Sequence, residues 1–391
     1  MSFQAALGGI DSGEPQLPMT LRFLGSVLSP WRSAKDLRHD VDFAQCDWMH
    51  IYEYALQFMV LPLVHKRLIE KQATDLVPED FLTAIEAFHD ANNQRNQHHQ
   101  QILLDATEIL NRAQITPLLL KGAHSLIGLP PEADTRMVSD IDLLVLDDRI
   151  EEAQALLIAQ GYQEHTYETA AKTAQMKTVH HHLPPLNHPR LPGFLEMHRV
   201  PNGWRQHPKL VDELTSKHRQ RHSLSERHSV YIMDLEARLI YNQVHHYEAD
   251  LFYGGCDFRQ LVEQASIWAL LGEEVVARIL QKTEQQHPDF YAAMALQFAL
   301  IQDLFAAPTL QATAVANSDS QFHLSALLKN PKQQQQQKKR IFLTMLRYLI
   351  ALAKDPKRAL ENLTRLRWYK SLPGKIKAQL RSGRTLHRNG L

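Results

Sequence analysis

The sequence predicts an α+β protein, with a small mixed β-sheet core set between N- and C-terminal helical regions. Two observations predict it. Apolar residues recur at helical spacing before residue 114 and again from Asp234 onward. Between these stretches the texture changes to short, branched apolar runs separated by turn signals, the pattern of strands alternating with helices.

The elements follow in order. Residues 1–30 contain Gly, Pro and Ser with weak periodicity and are expected to form a loose arm. Residues 31–114 form a helical region, carried by DWMHIYEYALQFMVLPLVHKRLIE and QQILLDATEILNRA. Pro62 is expected to kink or break the first of these, because its ring removes a helix donor. The core then spans residues 115–205. ITPLLLKG is a buried strand closed by Gly122, and SDIDLLVLDD is a second strand. DRIEEAQALLIAQGY is a helix with Asp147 or Asp148 as its cap, acids in its first turn and Gly161 just past its end. GFLEMHR is a third strand. A C-terminal helical domain is expected over 206–330. A glutamine run at 333–337 then leads into a basic helical tail over 331–391.

Composition narrows the function classes. The chain has 391 residues, 44% hydrophobic and 22% charged, enough apolar material for a sizeable core. Formal net charge is zero, but from residue 332 onward 16 Lys and Arg face only 2 Asp and Glu, a net of +14. The body therefore carries −14, and the tail is expected either to dock on it or to seek an anionic partner. Aromatics Trp368 and Tyr369 within the tail suit nucleic acid or a membrane surface. Cys46 and Cys256 are far apart and form no CxxC, so a reducing, cytoplasmic setting is expected. There is no secretory pattern at the N-terminus. The longest apolar run, residues 341–353, is too short to span a bilayer and Arg347 interrupts it, so no transmembrane segment is expected.

The chemistry-bearing feature is the pair Asp140 and Asp142. On a strand, side chains alternate with period two, so both carboxylates project to one face while Ile141, Leu143 and Val145 take the other. Two adjacent carboxylates repel, and a divalent ion relieves that repulsion. Mg²⁺ takes oxygen ligands and is commonly held by one or two carboxylates plus substrate phosphates. In LEMH, Glu196 and His198 share a face by the same alternation. If that strand lies beside the first, Asp140, Asp142 and Glu196 converge on one site fit for phosphoryl displacement.

These residues resemble the nucleotidyltransferase superfamily of the polymerase-β-like fold, and more narrowly the bacterial uncharacterised nucleotidyltransferase family. The resemblance rests on LLLKGAHSL, TRMVSDIDLLV, AQGY at 159–162, HHHLPPLNHP at 180–189 and LEMHR at 195–199, and covers roughly residues 60–205. It implies a nucleotidyltransferase core, Mg²⁺ or Mn²⁺ as cofactor, an NTP (by superfamily habit ATP) as donor and an acceptor it does not name. It implies that Asp140, Asp142 and Glu196 are catalytic and hold the metal, with Glu196 also a candidate base. Lys121, Gly122, Ser125, Arg136 and Ser139 would meet the nucleotide, Gly122 by letting backbone approach the phosphates. The chain departs from the superfamily at Gly122-Ala123, where a Gly-Gly or Gly-Ser is usual.

Three further residues are candidates for the substrate. His182 and His198 are placed to orient the acceptor or the acid. Arg259 follows Asp257 in YGGCDFRQLVEQ; Asp257 is expected to cap a helix, and Arg259 either sits in its first turn or reaches a substrate phosphate. The HHH triplet at 180–182 shows no tetrahedral zinc spacing, and consecutive histidines on a strand or loop are expected to point in different directions.

The expected function is transfer of a nucleoside monophosphate from an NTP to a hydroxyl or phosphate acceptor. The alternatives are a kinase-type phosphotransferase on the same fold, an inactive nucleotidyltransferase-like core whose basic tail binds nucleic acid or a membrane, or a metal-binding protein built on the histidines, which would show zinc in the purified protein.

Overall fold

A computed structural model describes residues 18–310 apart from 131–134, 147, 166–176, 178–179, 204–205 and 252–254, together with Leu324. The chain divides into two units, Met1–Leu327 and Leu328–Leu391. The glutamine run and basic tail lie outside the described residues, as do 1–17 of the expected arm and Asp147 of the expected cap.

The N-terminal part is helical: α1 (Met19–Leu28), α2 (Ala34–Asp40), α3 (Trp48–Gln57), α4 (Leu61–Glu70) and the long α5 (Glu79–Arg112). The expectation of a loose arm over 1–30 is corrected at α1, whose Leu21, Phe23, Leu24 and Val27 are fully buried. Gly25 lets α1 approach the last described helix: a Cβ there would stand 2.3 Å from the Leu304 carbonyl oxygen. Pro62 breaks the apolar run as expected, and does so by starting α4, where its missing N–H costs nothing.

The sheet has seven strands: β1 (Leu118–Leu119), β2 (Ile141–Leu144), β3 (Gln163–Glu164), β4 (Leu186–Asn187), β5 (Phe194–His198), β6 (Arg219–Ser223) and β7 (Ser229–Met233). Their order is β3-β4-β5-β2-β1-β7-β6. β2 runs antiparallel to β1 and parallel to β5, and β1 runs parallel to β7, so the sheet is mixed. Ile102, Leu103, Ala106 and Leu110 of α5 pack with Ile141, Leu143, Leu195 and Met197 of the sheet in one buried cluster. Helix α6 (Ile150–Ala159) joins that cluster through Ile150, Ala153 and Leu157.

The core therefore reaches past residue 205, to Met233. Sequence periodicity missed β6 because RQRHS is a polar, half-exposed edge strand with no buried face to alternate. The capping of α6 also differs from expectation. Arg149 stands at the cap with no side-chain cap bond, and Asp148 takes a left-handed backbone with φ 53°. Gly161 closes the helix as expected, at φ 98°.

Four helices follow β6 and β7 among the described residues: α8 (Leu235–Ala249), α9 (Phe258–Leu271), α10 (Glu273–Gln286) and α11 (Pro288–Phe305); α7 (Pro208–Ser216) precedes β6. Asp234 caps α8 by accepting from the Ala237 N–H at 2.8 Å, and Asp257 caps α9 by accepting from the Arg259 N–H at 2.9 Å. These two helices supply the second wall of the site.

Candidate active site

The parallel register of β2 and β5 pairs Asp142 with Glu196 and Leu144 with His198. Ile141 and Leu143 sit in the buried cluster with their partners Leu195 and Met197, and on the alternate face Asp142, Glu196 and His198 are polar. Asp142 is only 1% exposed. Its Oδ1 accepts from Lys121 Nζ at 2.7 Å and from His198 Nε2 at 2.6 Å. His198 Nε2 also lies 3.7 Å from Glu196 Oε2, and His182 Nε2 lies 3.5 Å from the same oxygen. Asp140 stands one residue before β2, and its Oδ1 accepts from Ser139 Oγ at 2.7 Å.

Charge shapes each group. Burial alone would raise the Asp142 pKa, but the Lys121 ammonium and the His198 hydrogen bond overcome it and hold the carboxyl well below the ordinary range. Burial opposes charging of Lys121 and His198 in turn. Asp142 outweighs it for both, so both pKa values are raised. Asp140 moves the other way: burial first, then the Asp142 charge, raise its pKa, with Glu196 adding to the effect. Asp140 thus carries negative charge that its surroundings do not fully offset.

A small polar cleft opens over this face. Lys121, Gly122, Arg136, Ser139, Asp140 and Asp142 line it from the sheet side. Asn242 and His245 of α8 and Arg259, Gln260 and Glu263 of α9 line it from the helical side. Arg136 is held there by two elements: its Nε lies 2.7 Å from Glu263 Oε1, and its carbonyl accepts from Asn96 Nδ2 of α5 at 2.7 Å.

Most of the expected site residues come together here. Asp140, Asp142, Lys121, Gly122, Arg136, Ser139 and Arg259 share the cleft, and Glu196, His182 and His198 join through Asp142 and Glu196. Ser125 does not: it is buried, and its Oγ donates to the Gly122 carbonyl at 2.7 Å, as hydroxyls in helical turns do. Gly122 differs in its role. Lys121–Ile127 is a 3₁₀ segment rather than a strand end, and a Cβ on Gly122 would lie 1.9 Å from Arg136 Nη1. The glycine therefore admits the Arg136 guanidinium. Lys121 takes a left-handed backbone, φ 46°, a conformation costly for a side-chain-bearing residue and common at functional sites. Arg259 sits in the first turn capped by Asp257, as one of its two expectations had it, and its side chain lines the cleft wall.

Sequence reasoning missed Asn242, His245, Gln260 and Glu263. A signal was present. Asn242 and His245 are three apart and Arg259 and Glu263 four apart, so each pair shares a helical face.

A family model described as uncharacterised nucleotidyltransferase matches residues 44–304. The chain belongs to that family. Among solved structures, this nucleotidyltransferase-family chain is similar to the crystal structure of an antigenic nucleotidyltransferase-like protein from Paracoccidioides brasiliensis. The identity is 15%, the match covers 52% of this chain and 93% of that one, and the TM-score is 0.32. No curated protein matches the chain.

The donor set fits a divalent ion. Ligand atoms of Asp142, Glu196 and His198 all lie within 4.8 Å of one another, and Asp140 adds a carboxylate whose pKa is raised by burial first and by the Asp142 charge second. No helix among the described residues is long and apolar enough to cross a membrane.

Proposed function

We propose that this family member transfers a nucleoside monophosphate from an NTP, with ATP the favoured donor, to a hydroxyl or phosphate acceptor. The observation that carries the reading is the pairing of Asp142 with Glu196 across β2 and β5, under a cleft that also holds Asp140 and the cations Lys121, Arg136 and Arg259. Anionic phosphates and carboxylates need opposite charge between them, and the cleft supplies both signs.

Asp140, Asp142 and Glu196 would hold Mg²⁺ or Mn²⁺, which when bound offsets the charge developing on the phosphates. Lys121 and Arg136 bind the phosphate oxygens, and Arg259 reaches them from α9. The acceptor oxygen forms a bond to the α-phosphorus as the bond from that phosphorus to the bridging α–β oxygen breaks, and pyrophosphate leaves. Where the acceptor is a hydroxyl, Glu196 takes its proton. His198, 3.7 Å from Glu196 Oε2, orients that base, with His182 beside it. Ser139 holds Asp140 in place through its hydroxyl.

Calorimetric titration of the four NTPs, with and without Mg²⁺, tests this. Binding of one NTP should require Mg²⁺ and vanish in the Asp140→Asn/Asp142→Asn double variant. A folded protein that binds no NTP with Mg²⁺ present, or a double variant that binds as well as the parent chain, would overturn it.

A further inference from the structure

Next to the carboxylates lies a second cluster of different chemistry. The imidazoles of His180, His181 and His182 converge, with ring centroids 4.1, 4.2 and 4.7 Å apart. One nitrogen from each lies within 4.8 Å of the others. This corrects the expectation that consecutive histidines point apart. Alternation holds only on an extended strand, and residues 180 and 181 are bends leading into a bridge, so the chain turns the three rings toward one another.

The cluster is held in place. The His181 carbonyl accepts from the Arg199 N–H at 2.9 Å, and the Leu183 N–H donates to the Met197 carbonyl at 2.9 Å. His182 forms an antiparallel bridge with His198. These bonds tie the histidine segment to the end of β5.

The tautomer of His182 points to a ligand. His182 Nδ1 lies 2.6 Å from the Leu183 carbonyl oxygen, so Nδ1 carries the proton and Nε2 presents a bare lone pair. A backbone carbonyl fixing the far nitrogen is the usual support of a metal-binding histidine. The His198 ring lies 5.2 and 5.4 Å from those of His181 and His182, but its Nε2 donates to Asp142, so it stays with the carboxylate site.

We propose that His180, His181 and His182 form a nitrogen-donor metal site for a borderline transition ion of the Zn²⁺ class, separate from the carboxylate site. Mg²⁺ selects oxygen, whereas imidazole suits Zn²⁺, Co²⁺ and Ni²⁺. Three nitrogens on one tetrahedral ion stand about 3.3 Å apart, given Zn–N bonds of about 2.0–2.1 Å. Modest side-chain rotation therefore closes the set. Water completes the tetrahedron, since Glu196 Oε2, 3.5 Å from His182 Nε2, is committed to the carboxylate site.

The probe is Co²⁺, added to the untagged full-length chain in the absence of nucleotide and followed by visible absorption and equilibrium dialysis. One ion per chain should bind with the intense bands of four-coordinate cobalt. His180→Gln/His181→Gln should weaken binding about 100-fold, while Asp140→Asn/Asp142→Asn should retain it. This separates the proposal from the nucleotidyltransferase reading, which the carboxylate variant disables. Co²⁺ kept by the histidine variant and lost by the carboxylate variant would overturn the proposal. So would weak six-coordinate bands from the folded parent chain, a measurement that needs no variant to fold.

Discussion

His198 Nε2 lies 2.6 Å from Asp142 Oδ1, and the two side chains are 0% and 1% exposed. Lys121 Nζ bonds the same carboxylate oxygen. A buried carboxylate is costly unless its charge is met, and here two donors on different segments meet it. Asp142 is therefore both a candidate catalytic residue and a tie between the 3₁₀ segment, β2 and β5.

That double role gives the first prediction. Asp142→Asn should lower turnover on the order of 10³-fold, about 4 kcal/mol of transition-state stabilisation. It should also lower unfolding stability by about 3 kcal/mol, because Lys121 and His198 lose their shared anion. Steady-state kinetics beside urea unfolding would read both. Full activity in the variant would remove Asp142 from the mechanism.

Gly122→Ala tests the arginine cradle. The added methyl must displace the Arg136 guanidinium, whose Nη1 would lie 1.9 Å from it. The change should raise the Kd for NTP about tenfold, close to 1.4 kcal/mol, and should lower stability as well, because moving the guanidinium disturbs the largely buried Arg136–Glu263 ion pair. Unaltered NTP affinity would show that Arg136 does not bind phosphate.

Asp140 sets an acid limb. Burial and the charges of Asp142 and Glu196 raise its pKa, so it is neutralised at higher pH than a free aspartate. Turnover should therefore decline on acidification from above the ordinary carboxylate range. Added Mg²⁺, competing with that proton, should shift the decline to lower pH. A pH–rate profile at two Mg²⁺ concentrations checks it; coincident limbs would remove Asp140 from the metal site.

His99 governs stability rather than activity. It is 3% exposed in α5, and burial, with help from Arg95 and His98, lowers its pKa from 6.5 to about 4. The unfolded chain therefore binds the extra proton between pH 6.5 and 4, and stability falls as pH drops through that window. The loss should be on the order of 2 kcal/mol, seen as a falling urea midpoint, and His99→Gln should flatten the curve. An equally steep curve in the variant would assign the effect elsewhere.

Removal of residues 355–391 should leave NTP binding unchanged while weakening retention on an anionic polymer, because it takes away 10 Lys and Arg against 2 Asp and Glu, +8 of the +14 beyond residue 331. Loss of NTP binding in the truncated, folded chain would make the tail part of the catalytic body instead.

Local periodicity was enough to place Asp140, Asp142, Glu196 and His198, because the alternation of side chains along a strand is a property of the backbone itself. It also marked α5 and the cap at Asp257, where spacing and hydrogen-bonding type act within a few residues. It did not reach β6, whose polar RQRHS is a strand only because β7 offers it a ladder. Nor did it show that Lys121 would meet Asp142, that Glu263 would turn Arg136 into the cleft, or that three consecutive histidines would converge. Those outcomes depend on register between strands and on helices arriving from more than a hundred residues away, and no window along the chain contains them. Sequence alternation chose the faces; packing of the sheet against α8 and α9 decided what those faces meet.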